Sequence, residues 1–195
     1  MNYFKLIKEL KSAGHGLMSE GQYIAVAQQL AEQSPCNFLV FGLGQDAFVW
    51  QKINEGGRTV FLEDDKDWIS KFDNSGLEIY EVEYNTLAKD HEEVGFDQER
   101  LKMNLPESVT SETWDIIFVD GPLGHNPPRP YKGPGRMQSI STAYQLLKKG
   151  GICVLDDMGR QIESKYAFHF FGKENLLFDR LVENKIGIFK KKNDV

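Results

Sequence analysis

Acidic residues and glycines carry the chemistry this sequence can offer, and they fall directly after short apolar runs. Gly42-Leu43-Gly44 follows Asn37-Phe38-Leu39-Val40-Phe41, and with Ala47 it fits a loose G-x-G-x-x-A pattern. Such glycines let the chain turn tightly and let a ligand approach the backbone. Glu63 ends the next apolar run, Arg58-Thr59-Val60-Phe61-Leu62, and stands 19 residues beyond Gly44. A carboxylate so placed can accept both hydroxyls of a ribose. A glycine turn after a strand is often only a turn, and Asp64, Asp65 and Asp67 also read as a solvated acidic loop. The strand register of Glu63 is what favours a ligand role there. The pattern does not separate S-adenosylmethionine from a nicotinamide dinucleotide.

Asp120-Gly121-Pro122 follows Trp114 to Val119, and Asp156-Asp157 follows Ile152-Cys153-Val154-Leu155. Three carboxylates at two neighbouring strand ends repel one another unless a cation or hydrogen bonds offset their charge. Oxygen-only ligands suit magnesium, manganese or a similar divalent cation such as cobalt, so a metal is expected at Asp120, Asp156 and Asp157. The competing reading has one aspartate touching the ligand or capping a helix while another is solvated.

The stretch from Pro122 to Arg136 is rich in proline and glycine and carries His125, Arg129, Lys132 and Arg136. Basic groups gathered in an otherwise acidic protein suggest a lid over an acceptor bearing a carboxylate or phosphate. An ordinary exposed loop explains Arg129 and Lys132 nearly as well. Arg136 opens a helix and is better fixed, and Arg160 joins it as an acceptor contact. His15, His91 and His169 show no partner in the sequence, and Trp50 and Trp68 read as core or ligand-rim packing.

The elements that position these residues follow from hydropathy. Residues 1–34 read as one or two helices, with Ser19 as a possible N-cap and Gln22 at the capping-box position. Apolar runs at 37–41, 58–62, 78–83, 114–119 and 152–155 read as strands, and 46–54, 67–72, 137–148 and 163–171 read as helices. Residues 86–113 are polar and carry no clear period. Leu176 to Val182 and Ile186 to Lys190 read as a terminal hairpin about the turn Glu183-Asn184-Lys185. Strands alternating with helices imply an α/β, Rossmann-like sheet, mostly parallel, with helices on both faces. The C-terminal antiparallel hairpin is typical of class I methyltransferases and absent from ordinary nucleotide-binding Rossmann domains. All 195 residues are expected to form one domain, 1–34 as a helical segment and 35–195 as its core.

Composition narrows the function classes. A net charge of -6 argues against non-specific binding to nucleic acid or anionic lipid. No apolar stretch reaches the roughly 18 residues of a membrane span. Lysines interrupt the apolar positions at the N-terminus, so neither a signal peptide nor an anchor is expected there, and the expected compartment is the cytoplasm. Cys36 and Cys153 lie beside apolar runs and are expected to be buried thiols. The four histidines are scattered and there is no CxxC, so nothing suggests zinc.

With these residues in view, the sequence resembles the glucuronoxylan 4-O-methyltransferase family, the polysaccharide-biosynthesis domain known as DUF579. The likeness lies in Pro35-Cys36-Asn37 through Phe41-Gly42-Leu43-Gly44-Gln45-Asp46, in Gly57-Arg58-Thr59 through Leu62-Glu63-Asp64-Asp65, and in Trp114-Asp115 through Val119-Asp120-Gly121-Pro122. Pro134-Gly135-Arg136-Met137 and Asp157-Met158-Gly159-Arg160 continue it. The resemblance implies methyl transfer from S-adenosylmethionine to a hydroxyl of a uronic acid or related sugar, assisted by a divalent cation. Plant members usually have histidine where Asp156 stands and asparagine where Gly159 stands, and they carry an N-terminal anchor. A free, nucleotide-linked or lipid-linked sugar, or another small anionic acceptor, therefore fits as well as xylan.

Strand ends and resemblance together define the expected site. Its cofactor contacts are Ser19, Phe41, Gly42, Gly44, Glu63, Asp64, Tyr84 and Asp120. Asp120 and Asp157 are its catalytic pair, and His125, Arg136 and Arg160 are its acceptor contacts. Two rivals remain: a nicotinamide-dependent oxidoreductase using the same turn and Glu63, and a non-catalytic protein that only binds the nucleotide.

Overall fold

The computed structural model describes residues 2–123, 133–178, 181–183 and 185–192. Helices α1 (Tyr3–Ser12) and α2 (Glu20–Gln33) come first. Ser19 caps α2 with the expected capping box: its side chain accepts from the Gln22 amide while the Gln22 side chain accepts from the Ser19 amide. Strand β1 (Asn37–Phe41), helix α3 (Ala47–Ile53), strand β2 (Arg58–Glu63), the short helix α4 (Lys66–Ile69) and strand β3 (Glu78–Glu81) form the first half of the sheet. The polar stretch that follows contains two single-turn helices, α5 (His91–Val94) and α6 (Glu107–Thr110). The second half comprises β4 (Trp114–Val119), α7 (Met137–Leu146), β5 (Leu147–Leu155), α8 (Gln161–Phe171) and β6 (Gly187–Lys190).

The six strands lie in the order β3-β2-β1-β4-β5-β6, and only β6 runs antiparallel, against β5. Each central strand is apolar on both faces. In β1, Leu39 and Phe41 join the core cluster that includes α7 and α8, whereas Phe38 and Val40 join the cluster that includes α1, α2 and α3. Both faces are therefore covered, as a parallel sheet requires. The strand order reverses between β1 and β4, and the chain leaves both at the same end, which opens a crevice beyond Phe41 and Val119.

Two readings of the sequence need correction. The first arm of the terminal hairpin is not a strand among the described residues: Leu176 and Val182 form isolated antiparallel bridges to Phe189 and Ile186, while Leu177 and Phe178 stay exposed. Strand β5 begins at Leu147 rather than at Ile152, because Leu147 pairs with Trp114 across an irregularity between Trp114 and Ile116. Cys36 and Cys153 are buried free thiols. Among the described residues, no helix is long and apolar enough to cross a membrane.

Candidate active site

The glycine turn is built by contact between two strand ends. Gly42 has φ +110°, and its N–H donates to the Leu62 carbonyl at 2.8 Å. A Cβ on Gly121 would lie 2.8 Å from the Gly42 Cα and 2.9 Å from its nitrogen. Backbone meets backbone here, so a side chain at either position would push the turn off the sheet. The Asp120 N–H donates to the Phe41 carbonyl at 2.9 Å, which aligns the two strand ends.

Glu63 closes the turn from β2. Its Oε2 accepts from the Leu43 N–H at 2.9 Å, and its Oε1 accepts from the amides of Asp64 (3.0 Å) and Asp65 (3.1 Å). Burial pushes this carboxyl above the usual range, and the three amides work against that rise. From the other side the Trp68 indole N–H donates to the Leu43 carbonyl at 2.6 Å. Trp68 is thus rim packing at the turn, and Trp50 is core. Asp46 stands at the N-cap of α3 with 8% of its surface exposed. Burial pushes its carboxyl up to about 6, and the neighbouring Tyr23 hydroxyl and Trp50 indole work against that rise.

Tyr84 follows β3 and turns toward the same crevice, where its hydroxyl accepts from Ser139 Oγ at 3.2 Å. Burial raises its phenol, Ser139 works against that, and the charges of Asp64 and Glu63 add to the rise. Gln138 on α7 holds the adjoining backbone. Its Oε1 accepts from the amides of Asn85 (2.9 Å) and Thr86 (3.2 Å) and from the Thr86 hydroxyl (3.1 Å), while its Nε2 donates to the Lys102 carbonyl (3.0 Å).

Beyond β4 and β5 the three aspartates gather around a guanidinium. Arg136 Nη2 lies 3.2 Å from Asp120 Oδ1 and 2.8 Å from Asp157 Oδ2, and Nη1 lies 3.9 Å from Asp156 Oδ2. The carbonyls of Pro122 (3.4 Å) and Val119 (3.5 Å) accept from the same side chain, which is only 5% exposed. Arg160 Nη2 meets Asp157 Oδ2 at 3.0 Å, and its Nη1 approaches the buried Glu163 at 3.7 Å. Asp157 has φ +60°, an uncommon conformation for a non-glycine residue that turns its carboxylate back toward the arginines. Burial lifts the Asp120 carboxyl well above the usual range, Arg136 opposes the rise, and Asp156 reinforces it.

Most of the expected residues therefore converge: Phe41, Gly42, Gly44, Glu63, Asp64 and Tyr84 on one side, Asp120, Asp156, Asp157, Arg136 and Arg160 on the other. Three expectations change. Arg136, expected as an acceptor contact, is a buried partner of the aspartates. Ser19 is engaged with the C-terminal segment, its hydroxyl donating to Glu183 Oε2 at 2.5 Å. The aspartates also do not fit as a metal site. Ligand oxygens must converge within about 2.0–2.6 Å of a hard cation, and here a guanidinium nitrogen stands between Asp120 and Asp157. Among the described residues, no group of three His, Cys, Asp or Glu is arranged to hold a metal ion. His125, with Arg129 and Lys132, lies outside the described residues.

Three contributors escaped the sequence reading. Asp46 had a visible signal, an acid at a helix N-cap directly after the glycine turn. Gln22, whose Nε2 reaches Asp156 Oδ1 at 3.5 Å, and Gln138 had none, since a buried glutamine looks like any other until its partners are known.

Comparisons with known proteins give the family of the chain and the likeness of its fold. The sequence profile described as IRX15/IRX15L/GXM matches residues 22–100 and 91–183. Glucuronoxylan 4-O-methyltransferase 1 of Arabidopsis thaliana is 38% identical over 171 residues, covering 75% of this chain and 59% of that protein. Arabinogalactan O-methyltransferase 2 of the same plant is 33% identical over 168 residues, covering 72% of this chain and 56% of the relative. The chain thus spans less than two thirds of the length of these relatives. Among solved structures, a SAM-dependent O-methyltransferase from Thermotoga maritima superposes with a TM-score of 0.55 at 13% identity, covering 97% of this chain and 72% of that one. At that identity the likeness is one of fold.

Proposed function

The chain belongs to the IRX15/IRX15L/GXM family, and from that premise we propose that it transfers the methyl group of S-adenosylmethionine to a hydroxyl oxygen of a saccharide acceptor, specifically a uronic acid or related anionic sugar. The observation that carries this reading is the sign of the charge around the glycine turn. Glu63 and Asp46 flank Gly42-Leu43-Gly44, and Asp46 occupies the N-cap of α3. A dinucleotide would bring its anionic pyrophosphate to that helix start, where the Asp46 carboxylate opposes it. A sulfonium cation suits the same acidic surroundings. The nicotinamide alternative is disfavoured on that ground.

S-adenosylmethionine supplies an activated methyl carbon, so the protein's part is to align the acceptor and receive its proton. In this scheme Glu63 accepts from the ribose hydroxyls and the backbone at Gly42 and Gly44 lies against the adenosyl group. Asp120, 34% exposed at the end of β4, takes the proton of the acceptor hydroxyl, and its raised proton affinity suits it to that task. Arg160 is 32% exposed, and the exposed part of its guanidinium is the group offered to an acceptor carboxylate. The names of the relatives, methyltransferases of glucuronoxylan and arabinogalactan, support a saccharide as the acceptor.

Transfer of isotopically labelled methyl tests the reading. Purified protein incubated with labelled S-adenosylmethionine should label glucuronic-acid-bearing oligosaccharides in preference to neutral ones. Asp120→Asn should lower kcat by roughly 10²–10⁴-fold while S-adenosylhomocysteine binding is retained. An unlabelled panel of acidic saccharides, or full turnover by Asp120→Asn, would contradict it.

A further inference from the structure

The acidic strand ends enclose a side chain that is almost sealed from solvent. Arg136 comes from the first residue before α7, reaches across the crevice, and is fixed on four sides. Asp120 and Asp157 accept from one terminal nitrogen, and the carbonyls of Val119 and Pro122 accept from the rest of the guanidinium. A planar fork of donors inside a ring of acceptors is the arrangement an arginine satisfies best.

We infer that Arg136 is the resident cation of this crevice, standing between Asp120 and Asp157 where a divalent ion would otherwise be needed, so that both carboxylates are held in place without a bound metal. The inference concerns how the crevice is neutralised, and it stands whether or not methyl transfer is the reaction. Its basis is occupancy: the point nearest Asp120 Oδ1 and Asp157 Oδ2 is filled by Nη2, at 3.2 and 2.8 Å. Arg160 supports the same carboxylate from the solvent side, 3.0 Å from Asp157 Oδ2. Two guanidinium groups face the four carboxylates of Asp120, Asp156, Asp157 and Glu163, so the crevice stays acidic overall. Arg136 is a positioning residue, acting through Asp120 and Asp157 rather than on substrate.

Two readouts independent of turnover test this. The wild-type protein is titrated with Mn²⁺ while free Mn²⁺ is followed by electron paramagnetic resonance, and its thermal midpoint is measured with Mg²⁺, with Co²⁺ and with EDTA. The expected result is no stoichiometric Mn²⁺ uptake and the same midpoint in all three. Arg136→Met leaves two carboxylates facing each other. Its midpoint should fall by about 6–20 °C, it should take up one Mn²⁺ per chain, and Mg²⁺ should restore part of the midpoint. Adding Asp157→Asn in that background should abolish the uptake. Wild-type protein that binds one Mn²⁺ per chain, with the binding lost in Asp157→Asn, would overturn the inference. So would a folded Arg136→Met variant indifferent to divalent cations. If Arg136→Met does not fold, the wild-type titration decides alone.

Discussion

What a carboxylate does in this crevice depends on what faces it. Glu63 faces three backbone amides, Asp46 faces a phenol and an indole, and Asp120 and Asp157 face a guanidinium. Asp46 is the most deeply buried of these without a cationic partner, and its carboxyl is pushed up to about 6 by burial. A raised folded-state value means that protonation favours the fold. The stabilising contribution is complete below the ordinary value of 3.8 and is lost as pH rises through about 6. Wild type should therefore lose stability relative to Asp46→Asn by on the order of 2–3 kcal/mol between pH 4 and pH 7. Urea unfolding of both proteins across that range checks this, and a difference that stays constant with pH would refute it. The strand-end acids were readable from sequence because apolar runs mark where strands stop. The inward turn of Arg136 was not, since a basic residue after a proline- and glycine-rich loop gives no sign that its side chain is buried.

Elements with a periodic or capping signal emerged where the sequence placed them. The Ser19–Gln22 capping box and the central strands are examples, because both are local properties of the chain. The terminal hairpin shows the limit. Leu176 to Val182 looked like a strand by hydropathy, but among the described residues bridges form only at Leu176 and Val182, and Leu177 and Phe178 remain exposed. The polar stretch after β3 shows the converse, order without a sequence period. One buried amide, that of Gln138, holds the two ends of its first part, with partners at Asn85, Thr86 and Lys102, and the Tyr166 hydroxyl holds the His91 and Gly95 carbonyls. Gln138→Leu should leave the partners of Gln138 unpaired, lower stability by about 2–4 kcal/mol, and speed hydrogen exchange at Asn85 and Thr86. Unchanged exchange at those amides would show that other contacts hold the segment.

At the scale of the whole molecule, a sheet reversing its strand order between β1 and β4 delivers a glycine turn and a set of acids to one crevice. The topology was visible in the alternation of apolar and helical stretches. The charge arrangement within the crevice required coordinates, because it joins residues from five separate segments of the chain. The most direct test is a crystal structure with S-adenosylhomocysteine bound. The ribose hydroxyls should lie within hydrogen-bond reach of Glu63, with the adenosyl group against Gly42 and Gly44 and the thioether facing Asp120. A ligand seated away from that turn, or Asp120 directed away from its sulfur, would contradict the proposed site.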